Sequence, residues 1–231
     1  MMRMILRQVI FLDIFNKNRV NVVISRTKNV CENLEAEEQL FQSGEETVFL
    51  WKNDPVVVVG KFQEMSKEAD ISFATENRIN IVKRSTGGGA VYQDHGNLNL
   101  SYICSGSEEL LGQKTQSFCL NIVKFLESVG VEAKWSGRND LVVLDKEGNE
   151  RKISGSAMKI QEDKLLFHMT LLVNTDCEVM NRVLTPERAK LESKGIASVR
   201  SRVITLEEHL NRVLDIDEIM NGFAEFIQQK M

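Results

Sequence analysis

Three consecutive glycines stand in Lys83-Arg84-Ser85-Thr86-Gly87-Gly88-Gly89-Ala90-Val91, between two strand-like runs. Glycines leave backbone N–H groups unshielded and permit positive φ. A turn of this kind can form a nest for a phosphate or a carboxylate, and Arg84 beside it offers a bidentate cationic fork. The Gly-Lys-Ser/Thr ending of a Walker loop is absent, and no GxGxxG follows a strand. A plain flexible hairpin is the other reading of the same residues.

A second group comprises Ser136-Gly137-Arg138-Asn139-Asp140 and the run Arg151-Lys152-Ile153-Ser154-Gly155-Ser156-Ala157-Met158-Lys159. If 151–158 is a strand, simple alternation puts Lys152, Ser154 and Ser156 on one face and Ile153, Gly155 and Ala157 on the other. A lysine aligned with two hydroxyls can clamp an anion. Gly155 and Ala157 are small enough to admit a ligand or another backbone. The bland alternatives are a solvated strand lysine and an ordinary turn acid at Asp140. His168 and Thr170 would face away from Phe167, Met169 and Leu171, which suits either a satisfied core histidine or a ligand contact. No Ser/His/Asp or Cys/His nucleophile arrangement can be read from spacing. Arg188, Lys190, Lys194, Arg200 and Arg202 form a basic stretch, either a solvated face or a dock for an acidic partner.

Several elements must position these groups. VNVVIS (20–25) is a β-branched run suited to a buried strand. Residues 30–41 set Val30, Leu34, Glu37 and Phe41 on one helical stripe. TVFLW (47–51) and VVVVG (56–60) flank Lys-Asn-Asp-Pro and predict a hairpin. A polar helix near 66–77 and a strand over 79–84 follow. LNLSYIC (98–104) alternates with Leu98, Leu100, Tyr102 and Cys104 on one face. Phe118, Ile122, Phe125, Leu126 and Val129 mark a helix over 115–129 that stops at Gly130. Short strands are expected over 131–135, 139–145, 151–158 and 165–173, with a turn at Glu147–Glu150. Helices near 177–184, 205–211 and 215–228 close the chain, the last carrying Ile216, Ile219, Met220, Phe223 and Ile227. The pattern predicts an α+β fold with a mixed, largely antiparallel sheet flanked by helices.

The 231 residues are 42% hydrophobic, 27% charged and 6% aromatic, which excludes collagen, low-complexity and disordered classes. A net charge of −4 argues against bulk nucleic-acid binding. Cys31, Cys104, Cys119 and Cys177 lie far apart, and with three histidines they neither frame a zinc site nor resemble a secreted disulfide scaffold. A reducing compartment is therefore expected. No apolar run reaches the ~18 residues of a membrane span. The basic, partly apolar start lacks a signal-cleavage site, and its only acid is Asp13, so an organelle address stays open beside a cytoplasmic one.

Taken together, the segments resemble the lipoate–protein ligase family, catalytic-domain relatives of biotin–protein ligases. The matching stretches are Asn33 to Glu38, Phe49 to Asn53, Val59-Gly60-Lys61, Arg84 to Val91 with Asp94 and Gly96-Asn97, Gly137 to Leu141, Lys152 to Ala157, His168 to Leu172 and Lys194 to Arg200. They occur in the family's order across roughly residues 20–210. The resemblance implies the biotin/lipoate-ligase-like catalytic domain over 20–231, after an extension over 1–19 and without the accessory C-terminal domain of larger members.

It also implies a reaction. ATP and lipoate would give lipoyl-AMP and pyrophosphate, and the lipoyl group would pass to a lysine of a lipoyl domain. Acceptors of that kind are 2-oxoacid dehydrogenase acyltransferase subunits and the glycine-cleavage hydrogen-carrier protein. Lys152 matches the family's central lysine and would bridge carboxyl and α-phosphoryl oxygens as a point charge. Arg84, Ser85, Gly87, Gly88 and Gly89 would border the lipoyl chain and adenylate. Asn97, Asn139 and Asp140 would position the nucleotide, with Asp140 helping to hold Mg²⁺. Ser154, Gly155, Ala157, His168 and Thr170 would line the same pocket. An apolar slot for the acyl tail is expected from residues 49–60 and the helix after Asn33. Where many members have an aromatic residue followed by His-Asp, this chain has Tyr92-Gln93-Asp94. Some relatives obtain the accessory domain as a separate subunit, and others only transfer pre-activated lipoyl or octanoyl groups. A ligand-binding module without chemistry is the non-enzymatic alternative, against which Lys152 itself speaks.

Overall fold

The computed structural model describes residues 12–15, 20–136, 140–185 and 203–231, the first of these by backbone alone. Within them two sheets form the frame. The larger runs in the order β1 (Leu12–Phe15), β2 (Asn21–Ser25), β3 (Thr47–Trp51), β7 (Asn97–Ser105), β11 (Lys164–Leu172), β10 (Glu150–Gln161), β9 (Asp140–Leu144), β8 (Lys134–Ser136). Only β2 and β3 are parallel; the other pairs are antiparallel. The smaller sheet has the order β5 (Asn80–Lys83), β4 (Val56–Val59), β6 (Val91–Gln93), with β4 parallel to β5 and antiparallel to β6.

Strand alternation gives the larger sheet two unlike faces. Leu98, Leu100, Tyr102, Leu165, Phe167, Met169 and Leu171 form the apolar one, packed under α4 (Glu108–Ser128) and α7 (Ile216–Lys230). Phe223 of α7 meets Phe118 and Phe125 of α4 edge-on, at centroid distances of 6.2 and 5.2 Å. Each such ring contributes about 1.5–3 kcal/mol by leaving water. On the opposite face Val23, Phe49, Trp51, Ile103 and Leu166 are covered by Ala36, Leu40 and Phe41 of α1 (Val30–Ser43). Between these apolar groups the same face carries Asn97, Asn99, Ser101, His168 and Thr170, whose partners are described below.

In the smaller sheet the central strand β4 is buried on both sides, as its unbroken valine run requires. Val56 and Val58 lie against Val30 of α1. Val57 and Val59 join Tyr92 and the helices α2 (Met65–Glu68), α3 (Ile71–Glu76) and α5 (Cys177–Val183). The short α6 (Leu206–Leu210) begins with a capping box at Thr205 and Glu208. Among the described residues no helix is long and apolar enough to cross a membrane.

Two local expectations are overturned. Residues 47–51 and 56–60 do not form a hairpin, because β3 and β4 belong to different sheets. Pro55 holds its predecessor extended, Asp54 N–H donates to Lys28 O at 2.9 Å, and Asn53 is wholly buried, so the chain crosses from sheet to sheet. The helix expected near 66–77 is broken at Ala69, which bridges to Leu184, while Asp70 N–H donates to Val183 O at 2.9 Å. Helix α4 starts seven residues earlier than its apolar stripe suggested, at a Ser107 cap followed by Glu108 and Glu109.

Candidate active site

Lys152 lies where β10 departs from simple alternation. Against β9, Lys152 pairs with Val142 but Ser154 pairs with Leu141, so Ile153 is an extra residue and the strand bulges. Ile153 and Ser154 both turn to the core, each wholly buried. The expected grouping of Lys152 with Ser154 and Ser156 is therefore corrected. After the bulge Lys152 shares its face with Gly155 and Ala157, and a Cβ placed on Gly155 would sit 2.8 Å from the lysine Nζ. The side chain of Ser154 does not join that face, and its Oγ has no hydrogen-bond partner among the described residues. Lys152 Nζ pairs with Asp140 at 2.8 Å across the β9–β10 ladder.

The glycine run is not the turn of a hairpin either. It carries the chain from β5 to β6, which flank β4 on opposite edges. Arg84 sits beneath it, 7% exposed. Its Nε donates to Thr86 Oγ1 at 2.9 Å, one terminal nitrogen to Val58 O at 3.0 Å, and the other to Gly87 O and Gly89 O at 2.7 and 2.8 Å. The fork expected to face an anion thus faces the loop's own carbonyls. Burial pushes the guanidinium down to about 10, and the Glu37 carboxylate opposes that shift, so it stays charged at neutral pH. Gly88 has φ +88°, a conformation in which a side chain is strained, and its added Cβ would lie 3.5 Å from Ala157 Cβ. Gly60 is required for a different reason: a Cβ there would meet Gly88 O at 2.1 Å. The Lys61 N–H donates to Thr86 O at 2.8 Å, so the β4–α2 connection is stacked on the glycine loop.

Beneath the loop runs a buried polar chain. Trp51 Nε1–H donates to Ser101 Oγ at 3.0 Å, and Ser101 donates to Glu37 Oε1 at 2.5 Å. The same oxygen lies 3.0 Å from His168 Nδ1, and His168 Nε2 lies 2.9 Å from Thr86 Oγ1. Thr86 Oγ1 also accepts from Arg84, so the hydroxyl joins the guanidinium to the imidazole. At the rim, Lys159 Nζ reaches Glu38 at 2.8 Å and Ser85 Oγ at 3.3 Å, and stands 4.0 Å from the Phe41 ring centroid. Burial pushes the Glu38 carboxyl up, but bonds from Lys159, Gln42 and Ser85 and the Lys159 charge outweigh it and hold it below the usual carboxylate value.

A second chain of amides crosses the same face. Ser25 Oγ donates to Asn33 Oδ1, Asn33 to Asn53 and Asn53 to Gln93, at 2.6, 2.9 and 2.7 Å. Asn97 donates to Asn99 Oδ1 at 3.1 Å, while its own Oδ1 is buried and unpartnered among the described residues. Gln93, the departure noted in Tyr92-Gln93-Asp94, is thus 4% exposed and structural. Thr170 Oγ1 is held between Gly155 N and Gly155 O at 3.3 and 3.4 Å. Asn139 and the basic stretch 188–202 lie outside the described residues. Among the described residues no three His, Cys, Asp or Glu groups cluster, and the Asp140 carboxylate pairs with Lys152, so a Mg²⁺ at Asp140 would draw its other ligands from the nucleotide phosphates and water.

The structure therefore brings Lys152, Asp140, Gly155, Ala157, Thr170, His168 and the glycine loop to one face, and removes the Ser154 side chain from it. Sequence reading left Glu37, Thr86, Trp51 and Ser101 off the candidate set. Glu37 was the detectable one: an acid within an otherwise apolar helical stripe needs a buried partner.

The model for the lipoyl protein ligase A/B catalytic domain matches residues 29–228. The chain is 39% identical over 189 residues to lipoate–protein ligase 1 of Staphylococcus aureus (strain Mu50 / ATCC 700699), over 82% of this chain and 54% of that protein. It thus spans about half the length of that curated relative. A bi-partite lipoate protein ligase from Thermoplasma acidophilum, analysed with its E2 lipoyl domain, superposes with a TM-score of 0.77 at 26% identity, over 94% of this chain and 84% of that one. A lipoate-protein ligase A bound with ATP gives 0.76 at 23%, over 93% and 85%, and supports the fold alone. The matched region takes in the smaller sheet, the larger one from β3 onward, the glycine loop and Lys152, and the chain belongs to the lipoyl protein ligase A/B catalytic-domain family.

Proposed function

We propose that this chain joins lipoate to ATP and passes the lipoyl group to a lysine of a lipoyl-domain protein. One observation carries the reading: the Lys152 amine, set on its face by the bulge, shares that face with Ala157, on which the glycine loop rests. Gly155 and Ala157 keep the space beside the amine low. A carboxylate is a poor electrophile, and bringing it to an anionic phosphate requires fixed positive charge and N–H donors in a dry site.

In the first half-reaction a lipoate oxygen attacks the α-phosphorus of ATP and pyrophosphate leaves. Lys152 Nζ neutralises both anions, and Asp140 holds the amine in place. Peptide groups of Gly87, Gly88 and Gly89 bed the adenylate, with Arg84 shaping the bed from below and Ser85 at its rim. His168 and Thr170 close the floor, while Asn97, 0% exposed, braces Asn99 and does not meet the nucleotide. The acyl tail lies toward the α1 side of the cleft, where the Lys159 ammonium stands over the Phe41 ring. In the second half-reaction the acceptor lysine, having lost a proton, attacks the acyl carbon and AMP leaves. The nucleotide brings any Mg²⁺ with it; no step above runs through the ion.

A second reading has this chain perform transfer while activation requires another polypeptide. The likeness to one chain of a bi-partite ligase favours it. Intact-mass spectrometry of a lipoyl domain decides the matter. Incubation with the chain, lipoate, ATP and Mg²⁺ should add one lipoyl group to one lysine. A mass gain from preformed lipoyl-AMP alone would assign transfer only. No gain from either donor would overturn both readings.

A further inference from the structure

Glu37 has no place in the reaction just described, yet it is 2% exposed and sits among polar groups. We infer that Glu37 is a positioning residue, which sets the shape of the glycine loop through His168, Thr86 and Arg84. Four observations carry this. Glu37 Oε1 holds His168 Nδ1 at 3.0 Å and takes a bond from Ser101 at 2.5 Å, which fixes the ring. His168 Nε2 contacts Thr86 Oγ1 at 2.9 Å, and that hydroxyl also accepts from Arg84 Nε at 2.9 Å. Arg84 then gathers Val58 O, Gly87 O and Gly89 O, three carbonyls from two separate segments. Finally, Glu37 is the carboxylate whose charge favours the buried guanidinium.

A guanidinium buried among carbonyls needs a countercharge, or its desolvation is uncompensated. Glu37 supplies it without a direct contact, across the imidazole and the hydroxyl. Because Glu37 belongs to α1, whose neighbouring Leu40 and Phe41 pack on Phe49 and Trp51, the helix that covers this face of the sheet also governs the loop. The adjacent Glu38 reinforces the arrangement at the rim through Ser85 and Lys159. Loop shape and the packing of this face are thereby tied to one helix.

Thr86→Val removes the central hydroxyl at nearly constant volume, Thr86→Ser restores it, and Glu37→Gln removes the charge at nearly constant shape. The loop itself is read without ligand through exchange of the Lys61 amide, whose hydrogen bond ends on Thr86 O. Exchange should accelerate at least tenfold in Thr86→Val and Glu37→Gln, return toward wild type in Thr86→Ser, and be no faster in the Glu37→Gln/Thr86→Val double variant than in either single one. In the lipoate-dependent ATP–pyrophosphate exchange, the first two variants should raise the ATP KM about tenfold with kcat within twofold. This kinetic arm rests on the ligase reading. If wild-type exchange is absent, that reading fails while the amide measurement still tests the relay. Unchanged Lys61 exchange in Thr86→Val, or additive effects in the double variant, would overturn the inference. Should Glu37→Gln fail to fold by circular dichroism, the Thr86→Val and Thr86→Ser pair decides alone.

Discussion

Lys152 and Gly155 illustrate how narrowly single residues are constrained in this cleft. Truncating Lys152 removes the charge that we propose bridges two anions, so Lys152→Ala should lower adenylate formation by about 10²–10³-fold. As it removes no core contact, the melting temperature should stay within about 2 °C by calorimetry. Gly155→Ala is a finer probe. The added Cβ meets only the mobile end of Lys152, 2.8 Å away, so stability should change by less than about 0.5 kcal/mol in urea titration. The displaced amine should nonetheless cost about 100-fold in turnover. Gly60→Ala separates the opposite way, because its Cβ strikes the backbone oxygen of Gly88 at 2.1 Å. A loss of about 1–3 kcal/mol is expected there. At this scale the sequence was a good guide to which residues matter and a poorer one to what they touch. The triple glycine, Lys152, Asp140 and His168 were visible as chemistry-bearing types. That Arg84 grips carbonyls could not be read, since a hydrogen-bond partner 26 positions away is set by sheet order alone.

At the scale of elements, α1 is held to the rim of the cleft by an ion pair that pH can remove. The Glu38 carboxyl lies below the ordinary value of 4.5: burial pushes it up, and the bonds from Lys159 and Gln42 more than reverse this. A carboxyl depressed in the folded state contributes stability that is present above pH 4.5 and fades as pH falls through its folded value. Lys159→Met should therefore flatten the fall in melting temperature between pH 5.5 and pH 3 (roughly the window in which carboxylates titrate). An unchanged acid limb in that variant would contradict the assignment. The elements themselves were largely legible, because 2.0- and 3.6-residue periods survive in β7, α4 and α7. The hairpin over 47–60 was misread for a physical reason: a short polar turn before proline looks alike whether two strands pair or part company. The broken helix at Ala69 has a similar cause, a bridge to Leu184 that overrides local preference.

For the whole molecule, stability and chemistry occupy opposite faces of one sheet. The apolar face under α4 and α7 supplies the aromatic cluster around Phe118, Phe125 and Phe223, while the other face accommodates two buried polar chains. Phe223→Ala should accordingly cost about 3–5 kcal/mol by denaturant unfolding. It should leave the KM for lipoate within twofold under conditions where the variant stays folded, since a β-strand backbone separates the ring from the cleft. A matching rise in KM would show that the two faces are not independent.

The doubled position at Ile153 and Ser154 divides β10 into two stretches that obey opposite odd–even rules. Before it, even-numbered positions look into the cleft; after it, odd-numbered ones do, so 155, 157 and 159 are the sites where added bulk narrows the cavity floor. A saturation library laid out on uniform parity would spend half its variants on the opposite face. Deleting Ile153 would erase the bulge and leave Ser154 as the single core-facing residue between Lys152 and Gly155, so that Lys152, Gly155 and Ala157 would keep their common face in plain alternation.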